Sequence, residues 1–85
     1  NNYLAYANRG AALASAGQYE QALTDFNKSL SLQPNFQDGL SNRALTYYTM
    51  GNNQAALNDV EQYLRINPGD ANMQAFRQEI MAKMQ

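Results

Sequence analysis

Three arginines, Arg9, Arg43 and Arg77, stand 34 residues apart, and two aspartates, Asp25 and Asp59, keep the same step. A guanidinium is a planar fork of N–H donors that matches a carboxylate, so this spacing is where the chain could do ionic chemistry. Two uses fit. The arginines bind an acidic ligand, or they pair with the repeating aspartates inside the fold. Pairing is the preferred reading, with each aspartate reaching forward to the next unit, Asp25 to Arg43 and Asp59 to Arg77. Arg9 is then left for a preceding unit.

Little else has the makings of a reaction centre. Histidine and cysteine are absent, which removes the commonest general base, the commonest nucleophile pair and the usual zinc ligands. The seven carboxylates show no metal-loop spacing, and no Gly-rich phosphate loop is present. Asn27-Lys28-Ser29 matches a glycosylation acceptor but falls in the middle of an expected helix. No catalytic residue, metal or cofactor is expected, and an enzyme is the remote reading, with its active groups outside these residues.

Composition sets the frame for the elements. The 85 residues allow one small domain, and 45% hydrophobic residues with six tyrosines and three phenylalanines supply a core. A net charge of −1 gives no electrostatic footprint for nucleic acid or an anionic membrane. Amides take the place of charge, with eleven Asn and nine Gln dispersed along the chain. No apolar run approaches the roughly 20 residues of a membrane helix. The chain opens on Asn1-Asn2 and reads as a segment of a longer protein.

Apolar residues at Tyr19, Ala22, Leu23, Phe26 and Leu30 form one stripe of an amphipathic helix, with Glu20, Gln21, Thr24, Asp25 and Lys28 on the other side. Upstream, Leu4, Tyr6, Ala7, Gly10, Ala11, Leu13 and Ala14 form a second helical stretch rich in small residues. Gly17 suits the left-handed residue that ends a helix, and Pro34 stops the second one. The unit then recurs: Asn8, Arg9, Gly17, Ala22, Leu23, Asp25, Leu30 and Pro34 are answered by Asn42, Arg43, Gly51, Ala56, Leu57, Asp59, Leu64 and Pro68. A last helix follows, with Asp70 as its N-cap and Met73, Phe76, Ile80 and Met84 as its apolar stripe. Helices are expected near 3–16, 19–32, 37–50, 53–66 and 71–84.

A 34-residue period of paired helices resembles the tetratricopeptide repeat. The residues that carry the resemblance are Tyr6, Gly10, Leu13, Gly17, Tyr19, Ala22, Phe26 and Pro34 in one repeat. In the next they are Leu40, Ala44, Tyr47, Gly51, Ala56, Val60 and Pro68. Leu40, Ser29, Tyr63 and Asn53 depart from the family pattern. The resemblance implies an all-α fold of five helices, a right-handed superhelical stack of antiparallel helix pairs. It divides the single domain 1–85 into a repeat 3–36, a repeat 37–70 and a capping helix 71–85.

The resemblance further implies that the first helix of each repeat lines an inner groove holding an extended peptide. Carried over to this chain, the groove residues are Asn8, Ala11, Ser15, Asn42, Leu45, Tyr48, Phe76 and Glu79. Leu4, Ala7, Ala14, Asp38, Ser41, Thr49, Asn72, Ala75 and Lys83 lie on the same helix faces. Asn8 and Asn42 resemble a ladder of amides that holds peptide main chain. Chaperone-binding relatives grip a terminal carboxylate with Lys, Arg and Asn; of that set only Asn42 is matched, against Ala7, Ala11, Asn72 and Phe76. A non-catalytic scaffold for a protein or peptide partner is therefore expected, with no nucleic acid, membrane or cofactor. The alternative is a structural or self-assembly segment of a longer array, associating through Tyr3, Leu4 and Tyr6 of the first helix.

Overall fold

The computed structural model describes residues 2–85, in which five helices and no strand are present. They are α1 (Tyr3–Ser15), α2 (Tyr19–Leu32), α3 (Gln37–Thr49), α4 (Asn53–Ile66) and α5 (Ala71–Lys83). The sequence expectation overran α1, α3 and α5 by one residue each, where the chain has already turned into the C-cap. α1 packs on α2 and α3 on α4, and the two hairpins join through α2 with α3. α5 lies against α4.

Each tight turn follows from its glycine. Gly17 and Gly51 have φ of 80° and 87°, a left-handed conformation that a Cβ disfavours. Around Gly17 the N–H of Gln18 bonds Leu13 O and the N–H of Gly17 bonds Ala14 O. Asn52 to Tyr47 and Gly51 to Tyr48 repeat the motif one unit later. The orphan carbonyls of α1 and α3 are thereby satisfied, and the chain reverses in a few residues. At their starts, α4 and α5 are capped by Asn52 and Asp70, whose side chains accept from Ala55 and Met73 N–H.

The core runs along the stack as Ala22, Phe26, Leu40, Ala44, Ala56, Val60 and Ile80, none more than 1% exposed. Burying a large side chain of this kind contributes about 1.5–3 kcal/mol. Close approach of α1 and α2 depends on Gly10, where a Cβ would stand 2.8 Å from Phe26 Cε1. Ser29, a departure from the family's small apolar residue, is fully buried, and its hydroxyl donates to Tyr3 O at 2.8 Å. Met84 is not part of the buried stripe of α5: it forms the C-cap and is exposed.

The ion pairs differ from the forward pairing expected of them. Arg9 holds Asp25 and Arg43 holds Asp59, each within its own hairpin. The geometry of an antiparallel pair explains it. Arg9 and Asp25 each lie eight residues from Gly17, as Arg43 and Asp59 do from Gly51, so the turn brings them level. Asp25 is consequently buried rather than on the polar side of α2. The forward contact falls two residues later, a rotation of about 200° on the helix. Asn27 there accepts from Arg43 Nη1 at 2.9 Å, and Glu61 pairs with Arg77 at 3.3 Å. Arg9 thus has a partner, and Arg43 ties three helices together.

Candidate functional site

Among the described residues, two hollows open on the face that α1, α3 and α5 share. The first, about 250 Å³, lies between α1 and α3 and is lined by Ala11, Ala14, Ser15, Asn42, Leu45, Thr46 and Thr49, with Tyr19 and Phe26 behind. The second, about 320 Å³, lies between α3 and α5 and is lined by Ser41, Asn42, Leu45, Asn72, Met73 and Phe76, with Tyr63 and Asp70 at its end. Asn42 and Leu45 belong to both, one turn apart on the same face of α3. They form the shared wall.

Local structure sets what this wall offers. Asn42 is half-buried, and its side chain has no hydrogen-bond partner among the described residues. Thr46 donates to the Asn42 carbonyl at 2.8 Å, which binds its hydroxyl to the helix and leaves the Asn42 amide free. Leu45 is 54% exposed although large and apolar. Asn8, one repeat earlier, is exposed and likewise without a described side-chain partner, and it lines neither hollow. Of the carried-over positions, Ala11 and Ser15 reach the first hollow, Phe76 the second, and Asn42 and Leu45 both. Ala7 is buried and contributes packing rather than a contact surface.

Tyr48, Phe76 and Glu79 come together at the α3–α5 crossing. The Tyr48 hydroxyl donates to Glu79 Oε2 at 2.8 Å, and the Tyr48 and Phe76 rings meet edge to face at 5.3 Å. Donation to Glu79 raises the Tyr48 hydroxyl above the ordinary tyrosine range. A second tyrosine–carboxylate pair closes the end of the hollow: Tyr63 donates to Asp70 Oδ2 at 2.7 Å while Met73 N–H donates to Oδ1 at 3.0 Å. The Tyr63 bond, with the backbone bond after it, holds the Asp70 carboxyl below its usual range. Tyr63 and Asp70 were not among the expected groove residues. Their signal was the departure of Tyr63 from the small residue the repeat favours, read together with the Asp70 cap.

Nothing in this arrangement provides a nucleophile with a base, and no three metal-binding side chains gather among the described residues. It offers free amide, exposed apolar surface and a few carboxylates, the means of holding another chain. A stack of antiparallel helix pairs with such a face is a helical solenoid of the protein-interaction class. Tetratricopeptide repeat models match residues 3–36 and 38–70, and the chain belongs to that family of non-catalytic interaction modules.

Relatives agree with the assignment. The chain is 39% identical over 71 residues to the tetratricopeptide repeat and J domain-containing co-chaperone DNJ1 of Cryptococcus neoformans, covering 84% of this chain and 14% of that protein. It is 32% identical over 74 residues to the Hsp70-Hsp90 organizing protein of Triticum aestivum, covering 87% and 13%. Against the small glutamine-rich tetratricopeptide repeat-containing protein 2 of Saccharomyces cerevisiae it is 32% identical over 78 residues, covering 92% and 22%. The chain spans less than a quarter of each of these relatives.

Proposed function

We propose that the chain binds an extended peptide or partner segment along the face formed by α1, α3 and α5. The observation that carries the reading is Asn42: a half-buried amide with no described partner, on the wall shared by two hollows. An amide donates and accepts, so it can satisfy the N–H and C=O of an extended main chain whatever its sequence. Asn8 repeats it one unit away. Leu45, Tyr48 and Phe76 supply apolar and aromatic contact for side chains. Three inner helices spaced at about 8–10 Å span about 20 Å, room for some six residues at about 3.3 Å each.

Co-chaperones among the relatives raise the question of an acidic chaperone tail as partner. The basic set that such a tail needs is missing here. Ala11, Asn72 and Phe76 stand at three of its positions, and the buried Ala7 at a fourth. A carboxylate-terminated tail as partner therefore loses most of its support.

A randomised display library of peptides about six residues long, screened on the intact chain, tests the reading. Amide shift perturbations of a recovered peptide should map to Asn42, Leu45 and Phe76. Asn42→Ala should then weaken binding by about 1–3 kcal/mol, the cost of an unpaired polar group, with the Tm little changed. Perturbations confined to α2 and α4 would refute the groove.

A further inference from the structure

Arg9, Arg43 and Arg77 each hold a carboxylate, and none of them lines either hollow. The hollow between α3 and α5 has acidic surroundings. Asp70 lines it, and Asp38 in the first turn of α3 lies near enough to Tyr63 for its charge to disfavour ionisation of that hydroxyl. Glu79 stands on the other side, bonded to Tyr48, whose ring rests on Phe76. Lys83, the base on the inner positions of α5, is in its last turn and does not line the hollow.

We propose that this hollow selects a basic side chain, lysine or arginine, from an extended partner segment, with the cation at Asp70 and the methylene stem along Leu45 and Phe76. The inference rests on the groove reading above and adds the chemical class of the ligand. Asp70 is equipped for the task. Oδ1 accepts from Met73 N–H and Oδ2 from the Tyr63 hydroxyl, the Asn72 N–H adds a weaker backbone bond, and of the carboxylate's roughly four lone-pair positions at least one remains for a cation. These bonds favour the ionised carboxylate, so the negative charge is in place at neutral pH. Lysine and arginine carry an apolar stem behind a polar head, which matches a site with Leu45, Met73 and Phe76 on its walls and a carboxylate at its end. An acidic segment would instead meet Asp38, Asp70 and Glu79, with no arginine among the residues that line the hollow to receive it.

The display screen decides the matter if its peptides are N-acetylated and C-amidated, so that only side chains carry charge. The expected result is a recovered set enriched in Lys and Arg and depleted in Asp and Glu. Binding of that set should fall steeply with added salt, because an exposed ion pair is screened. Asp70→Asn keeps a good N-cap and removes the charge. It should weaken the basic peptides about tenfold, as loss of a charged hydrogen bond does, and leave a norleucine analogue of the same peptide unchanged. A recovered set that is neutral or acidic, or that Asp70→Asn does not weaken, overturns this inference while leaving the groove intact. A screen that recovers no peptide perturbing α3 and α5 overturns the groove reading as well.

Discussion

Arg43 grips Asp59 through two parallel hydrogen bonds, Nε to Oδ2 at 2.8 Å and Nη2 to Oδ1 at 2.7 Å. Its remaining nitrogen, Nη1, reaches back to Asn27 of the preceding hairpin. One side chain therefore closes the second hairpin and registers it against the first. The Arg43 side chain is 21% exposed against 67% for Arg9, whose pair with Asp25 has no such third arm among the described residues.

Asp59→Ala should accordingly cost about 2–3 kcal/mol, because a largely buried guanidinium loses its charged acceptor. Arg77→Ala should cost under about 1 kcal/mol, since both partners of the Arg77–Glu61 pair are well solvated. Urea unfolding of the two variants compares them directly. Equal losses would mean that the ladder is uniform rather than strongest at Arg43.

Gly10→Ala should destabilise the first hairpin by about 1–3 kcal/mol, the usual penalty for overpacking. The added methyl meets Phe26 at 2.8 Å and the Ala22 carbonyl at 3.2 Å, so relief requires moving a fully buried ring or backbone. Gly10→Ala combined with Phe26→Leu should recover part of the loss, measured as Tm.

The junction of α4 and α5 should be pH-sensitive at both extremes. The folded Asp70 carboxyl sits below its unfolded value of about 3.9. The unfolded chain therefore binds its proton first as pH falls. The Asp70 contribution is full above that value and is lost as pH drops through the folded one. Tyr63 is raised by the same bond, so its contribution is present below its ordinary value of about 10 and is lost as pH rises through the folded value. Tyr63→Phe should flatten the alkaline limb of a Tm-against-pH curve and soften the acid one. An unchanged alkaline limb would assign it to other tyrosines.

We propose that α5 acts as a cap. Met73 and Ile80 are buried against Val60 and Ala56, with Phe76 packed beside them. Removing residues 71–85 should expose this apolar surface at about 1.5–3 kcal/mol per large side chain and leave a chain that aggregates or loses cooperative melting. A shortened chain that melts like the parent would end the cap account.

Periodicity in the sequence determined the helices, their turns and their pairing. Gly17 and Gly51 admit the left-handed conformation by lacking a Cβ, Pro34 and Pro68 stop helices, and the recurrence of small residues dictates which faces meet. Such constraints are local or repeat every 34 residues, so a linear text carries them. The interior position of Asp25 was not legible, because a charged residue reads as surface until a partner is known to face it. Tertiary structure decided that partner. Two residues of helix rotation turn Asp25 toward Arg9 and Asn27 toward Arg43, and only the antiparallel turn at Gly17 brings residues equally distant from it to the same height. The groove divides in the same way. The Asn8 and Asn42 spacing was visible in the letters, whereas the free amide of Asn42 depends on which donors and acceptors surround it. The placement of Tyr63 and Asp70 at the end of a hollow depends on how α5 crosses α3 and α4, a contact between segments that no periodicity encodes.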